Sequence, residues 1–249
     1  MSHGYGALCS DFYINQKLAL RMDLTPDREA LLGLFERIRK EHPALSRFRR
    51  YEDEISLESE DPEGRYAWVA LRRASVRSGA VNPESIDDAM ALHRLVLETS
   101  PYFLSISPLE IDHVEVTYGF DLEAETNRNE LIFDTFYANS PLAGLVDRDQ
   151  ETIFDAQPFI GFALDPRMRL EAFVEIKART RANELVSGQF QDEPISVLLT
   201  VRHHGKVGSL TDLVPVLDLV NQRARQLADE RVVPAVVTPI REAISSRPG

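Results

Sequence analysis

One cysteine in 249 residues, Cys9, is too few for a disulfide within the chain and for the cysteine clusters of structural zinc or iron–sulfur sites. No window approaches the roughly 20 consecutive apolar residues of a membrane span. Met1 to Ser10 lacks both the basic start and the apolar run of a secretory signal, so a cytoplasmic protein without membrane contact is expected. Positive charge is also short: 28 Lys and Arg against 40 Asp and Glu leave a net −12. A polyanion is repelled by such a balance unless one face is locally basic. Arg47, Arg49 and Arg50 are followed at once by Glu52, Asp53 and Glu54, and neither they nor Arg72, Arg73 and Arg77 form a surplus large enough to overturn the total, so no nucleic-acid partner is expected. Also missing are the phosphate loop G-x-x-x-x-G-K-[ST], the dinucleotide turn G-x-G-x-x-G, the zincin helix H-E-x-x-H and the elbow G-x-S-x-G.

What remains is periodicity. Phe12, Ile14, Leu18, Leu20, Met22 and Leu24 occupy alternate positions, as in a half-buried strand. Thr25-Pro26 then opens a helix to about Glu41, with Leu31, Leu34, Phe35 and Ile38 as its apolar stripe and His42-Pro43 as its stop. Extended stretches over 51–58 and 66–77 flank a Glu60–Gly64 turn, and a second helix from near Pro83 carries Ile86, Met90, His93 and Leu97 until Pro101. The order then restarts. Val114, Val116, Tyr118, Phe120 and Leu122 alternate, a helix carries Leu131 to Phe136, and strands follow over 154–164, 168–176 and 195–202. Asn183 to Glu193 reads as a polar, mobile connection; Ser209 opens a long helix that Pro234 and Pro239 break, leaving a short final one.

The halves share residues as well as order. Asp23-Leu24, Phe35 and Pro43 recur at an offset of 98 as Asp121-Leu122, Phe133 and Pro141; Val76-Arg77 and Ser85 recur at about 125 as Val201-Arg202 and Ser209. The expectation is an α+β fold built by tandem pseudo-twofold duplication, with a mostly antiparallel curved sheet and helices on one face. A flexible 1–10, a first copy over 11–110 and a second over 111–249 divide the chain, the second holding an extra strand. This element order resembles the TATA-binding-protein-like fold. The resemblance implies a DNA-binding sheet face, but the face expected here mixes Lys17, Arg21, Arg169 and Lys177 with Glu115, Glu171 and Glu175, against the basic and wedge-forming residues that role needs.

The candidate ligand-binding residues are Arg77, Arg202, His203 and His204. Duplication places the two arginines at equivalent strand ends, where two guanidiniums could hold a small anion, or each could pair with acids at the next helix start, Asp87 or Asp88 and Asp212. His203 and His204 point to opposite sides of a strand, so only one could act. A metal site would need His113, Glu115 and His204 to meet, which spacing cannot decide; neither metal nor cofactor is expected. His93 reads as a core histidine, Cys9 as a buried apolar group, and Tyr102-Phe103-Leu104 as a plug between the halves. Two functional readings follow: a non-catalytic interaction or scaffold protein that self-associates or binds a protein partner, or an enzyme or small-anion-binding protein with its site at the junction of the copies.

Overall fold

The computed structural model describes residues 5–60 and 64–246; most of the expected acidic turn, 61–63, lies outside them. Among the described residues, nine antiparallel strands form one sheet: β1 (Asp11–Leu20), β2 (Leu45–Arg50), β3 (Glu54–Ser59), β4 (Tyr66–Arg72), β5 (Ser75–Val81), β6 (Ile111–Glu123), β7 (Phe159–Ala163), β8 (Leu170–Lys177) and β9 (Pro194–His203). Their spatial order is β2-β3-β4-β5-β1-β6-β9-β8-β7. The α-helices among the described residues are α1 (Arg28–Glu41), α2 (Ile86–Phe103), α3 (Arg128–Phe136), α4 (Ala182–Ser187), α5 (Leu213–Leu227) and α6 (Thr238–Ser246). Among the described residues no helix is long and apolar enough to cross a membrane.

The pairing register carries the duplication. Leu18 faces Val76 and Val116 faces Val201, which keeps the offsets of 98 and 125. The two copies meet where β1 pairs with β6, and there Lys17 lies opposite Glu115, itself 98 residues on. The pseudo-twofold axis therefore runs through that pair. Outward from it β5 corresponds to β9, β4 to β8 and β3 to β7, so β2 is the unmatched strand. The extra strand belongs to the first copy and not, as periodicity suggested, to the second: Tyr66–Arg77 contains two strands joined at Arg73-Ala74, and Leu45–Arg50 pairs with β3 behind its arginines.

Alternation decides the two faces. Phe12, Ile14, Leu18, Val114, Val116, Tyr118, Phe120, Val197, Leu199 and Val201 are buried beneath the helices, each contributing about 1.5–3 kcal/mol as a fully buried side chain. α1 starts two residues later than expected because the Asp27 carboxylate, rather than the Thr25 hydroxyl, accepts the Ala30 amide at 2.7 Å. Ser85 caps α2, and at the matching place Ser209 and Asp212 close a tight turn before α5. Pro101 lies inside the last turn of α2 rather than stopping it. Pro234 does not break the final helix either: residues Ala228–Val237 widen into π-helical turns that run on into α6, which accommodates a residue with no amide hydrogen.

Two segments expected to be loose are ordered over their described residues, the first over 5–10 with 1–4 outside the description. Tyr5 is buried among Phe12, Tyr118 and Phe120, with ring centroids 4.9–6.2 Å away, and its hydroxyl donates to Asp229 at 2.6 Å. Residues 5–10 are thereby tied to the C-terminal helix. In the 183–193 connection, α4 buries Glu184 against Arg128, which is wholly buried at the start of α3. Arg128 Nη2 donates to both Glu184 oxygens at 2.9 and 3.0 Å, and its other nitrogens donate to the carbonyls of Ala178, Ala124 and Gln191. Burial pushes the Glu184 carboxyl up, but the Arg181 and Gln191 amides and the guanidinium outweigh it and bring it down to about 2. The expected strand over 154–164 shrinks to β7, because Phe154 and Ala156 bond to the Asn129 side chain instead.

Candidate functional site

The face without helices carries one transverse row through the axis: Ala70, Arg77, Lys17, Glu115, Arg202 and Glu171 are successive register partners on β4, β5, β1, β6, β9 and β8. Arg77 and Arg202 are thus equivalent, as expected, but they do not converge. Three strand spacings of about 4.8 Å separate their backbones by roughly 14 Å, and Lys17 and Glu115 stand between them. Nor do they reach the helix starts, which lie on the other face. Arg202 donates to Glu115 at 2.7–2.8 Å and lies 5.2 Å from the Phe173 ring centroid, while Arg77 donates to Ser75 at 3.1 Å. Neither pairing with Asp87, Asp88 or Asp212 nor a shared anion site fits this arrangement.

Glu115 is the hub of the row. Burial alone would raise its carboxyl; His113, Lys17 at 3.4 Å and Arg202 overcome that and hold it at about 2. It is an anion held between two cations across the axis.

The histidines part company as alternation dictates. His203 turns to the helix side, its ring packed over Gly205, where an added Cβ would meet Cε1 at 2.2 Å. His204 turns to the open face beside His113, with ring centroids 5.1 Å apart. β6 and β9 are neighbours, so His113, Glu115 and His204 do come together. His113 Nδ1 lies 2.8 Å from Asp112 Oδ2 and its Nε2 3.4 Å from Glu115 Oε2; His204 Nε2 lies 3.4 Å from Glu171 Oε2. One donor atom from each of Asp112, His113 and His204 falls within 4.8 Å of the others. The hydrogen bond from His113 holds the Asp112 carboxyl below its ordinary value. Plain alternation would turn Asp112 away from His113; it lies beside His113 where the pairing of β1 with β6 shifts register, between Ala19 and Leu20.

One concavity lies apart from this row and another beside it. A groove of about 620 Å³ opens on the helix side of the first copy, floored by Ala67, Ala80, Ala89 and Leu92 and rimmed by His42, Asn82 and Asp88. Sequence could not reveal it, since its floor consists of small residues ordinary for any core. A second hollow of about 210 Å³ adjoins the row, between Phe159, Phe173, Thr200 and Arg202.

The remaining candidates are structural. His93 is fully buried, its Nδ1 2.8 Å from the Ser78 hydroxyl, which lies 2.9 Å from the Gln16 carboxamide; burial lowers the imidazole to about 3. Cys9 points its thiol at the Tyr5 carbonyl oxygen, 3.6 Å away, and burial, then Asp121 and Asp11, push it up to about 12, which removes it as a nucleophile. Phe103 packs on α1 at Gly33, while Tyr102 is exposed, so that run joins α2 to α1 and does not plug the junction.

No family model matches the chain, and no curated protein matches it. Among solved structures, the di-domain ARO/CYC BexL from the BE-7585A biosynthetic pathway aligns over 95% of this chain and 99% of its own, with 8% identity and a TM-score of 0.19. Similarity that low carries no inference about fold or activity.

Proposed function

We propose that this is a non-catalytic interaction protein that associates with a second copy of itself through the free edge of β7. The carrying observation is the contrast between that edge and the rest of the surface. Phe159-Ile160-Gly161-Phe162-Ala163 contains no charge, no proline and no bulge, and Phe159 and Ile160 are 62% and 61% exposed. An exposed apolar edge of this kind is a template for another strand.

A copy of the same strand fits the template best. Five residues paired antiparallel about Gly161 set Phe159 against Ala163 and Ile160 against Phe162, large against small on one face and apolar against apolar on the other, as a closed twofold contact requires. The edge is also the uncharged part of a chain carrying −12 overall, so it offers the least repulsion to a second copy. Flatness supports this reading further: Arg77 and Arg202 do not form a site at the junction of the copies.

Sedimentation across a concentration series is the test. The expected result is a reversible dimer that Ile160→Lys and Gly161→Pro each convert to monomer with an unchanged circular dichroism spectrum. A wild-type chain that stays monomeric at its highest soluble concentration, or a dimer indifferent to both substitutions, overturns the proposal.

A second reading is favoured by the helix-side groove, whose volume falls in the range of small-ligand clefts. It places an uncharged or amphipathic small molecule there, in the first copy alone. Ala89→Phe would fill the groove; a ligand that raises the melting temperature of the wild type and of this variant equally does not bind there.

A further inference from the structure

The geometry points to a divalent transition-metal site beside the axial row, with one bond each from the Asp112 carboxylate, Nδ1 of His113 and Nδ1 of His204. Two imidazoles and a carboxylate form a donor set suited to zinc and its first-row neighbours rather than to magnesium or calcium, which prefer oxygen alone.

Three observations carry the assignment. First, the donors are already gathered: one ligand atom from each of the three residues lies within 4.8 Å of the others, and His113 Nδ1 and Asp112 Oδ2 are 2.8 Å apart. With bonds of about 2.0 Å, ligand atoms around a tetrahedral ion sit roughly 3.3 Å apart. Asp112 and His204 are partly exposed, with side-chain exposures of 43% and 36%, so they can close the remaining distance by rotating.

Second, both imidazoles have a carboxylate behind them. His113 Nε2 faces Glu115 Oε2 and His204 Nε2 faces Glu171 Oε2, each at 3.4 Å. A metal-bound histidine commonly donates its other N–H to such a carboxylate, which fixes the tautomer and leaves the opposite nitrogen for the metal. Here that nitrogen is Nδ1 in both rings. His113 Nε2 is buried without a hydrogen bond in the metal-free geometry, and metal at Nδ1 would place the ring proton on Nε2, facing Glu115.

Third, the surroundings hold the set in place. Arg202 and Lys17 fix Glu115, the His204 amide donates to the Arg169 carbonyl at 2.7 Å, and Arg21 approaches the other oxygen of Asp112, Oδ1, at 3.6 Å, leaving Oδ2 for the ion. Three protein donors on an open face leave a fourth position for water or an anion.

The experiment is calorimetric titration of the whole chain with zinc chloride in buffers of different ionisation enthalpy, alongside visible absorption of the cobalt(II) form. One equivalent is expected to bind. Asp112→Ala and His204→Ala should each weaken binding by about 100-fold or more, and Glu171→Gln, which removes no donor, by about 10-fold. His42→Ala, remote from the row, should leave binding unchanged. Both donor positions are partly exposed, so the variants should fold, and superimposable circular dichroism spectra check it. Zinc binding absent in the wild type, or equal in the wild type and both donor variants, overturns the assignment.

Discussion

The two copies share a register and differ in how each handles polarity. At the start of its first helix the first copy has Ala30 where the second has the fully buried Arg128, clamped to Glu184. In the second helix the order reverses: the first copy buries His93 against Ser78 and Gln16, and the second has Leu217 in that place. The outermost strands differ too. β2 carries Arg47, Arg49 and Arg50, has a register shift beside Leu45 and packs Phe48 on Phe35, whereas β7 leaves an uncharged edge free. The lesson is that duplication preserves backbone pairing, which is the same problem in both halves, while each half settles its own buried polar groups and its own edge.

The sharpest way to break the comparison is to give the second copy the first copy's alanine. Arg128→Ala strands Glu184 in the core, and removing one partner of a buried pair costs about 3–5 kcal/mol; urea unfolding should show a loss of that size, and a loss below about 1 kcal/mol would make the clamp dispensable. The Glu184 carboxyl is held at about 2, below its ordinary 4.5. Its contribution is therefore complete above 4.5 and drains away as pH falls towards 2, and Glu184→Gln should flatten that part of the stability curve.

A smaller effect is expected on the open face. Gly119 lies under the Tyr13 ring, where an added Cβ would stand 2.0 Å from the ring. Gly119→Ala should cost about 1–3 kcal/mol as an overpacked contact, and Tyr13→Ala in the same chain should relieve part of that cost. A double variant whose losses simply add would show that the ring does not rest there.

The mildest change exchanges the other pair of answers. His93→Leu, the second copy's residue, leaves Ser78 short of one partner at a cost of about 1 kcal/mol near neutral pH. The gain comes in acid. The wild-type imidazole, at about 3 when buried against 6.5 when free, must take up a proton on unfolding, so stability falls as pH drops from 6.5 towards 3, by up to about 1.4 kcal/mol per unit. The leucine variant should lack that slope, and parallel stability curves for the two proteins would contradict a neutral, buried His93.

Much of this architecture was legible because alternation and caps are local. Phe12 to Leu20, Ile111 to Leu122 and the serines at 85 and 209 declare themselves within a few residues. β2 did not: its single buried side chain is Leu45, and Arg47-Phe48-Arg49-Arg50 reads as a basic cluster until β3 is placed beside it. α4 was hidden for a related reason, since Glu184 looks like a solvent residue unless Arg128, 56 positions away, is known to face it. The histidine cluster depended on strand adjacency, which the spacing of His113 and His204 does not encode. Arg77 and Arg202 were matched correctly yet misjudged, because equivalence about an axis sets symmetry and says nothing of distance.

The axis itself has a consequence for ancestry. In a dimer of identical single-copy chains, a residue on the twofold must meet its own twin, so a lysine there would oppose a lysine and a glutamate a glutamate, each a like-charge contact. Lys17 opposite Glu115 is a solution closed to identical chains and open to this one, in which the twins are free to diverge. That one pair marks the point at which this molecule ceased to be interchangeable with a homodimer of its halves.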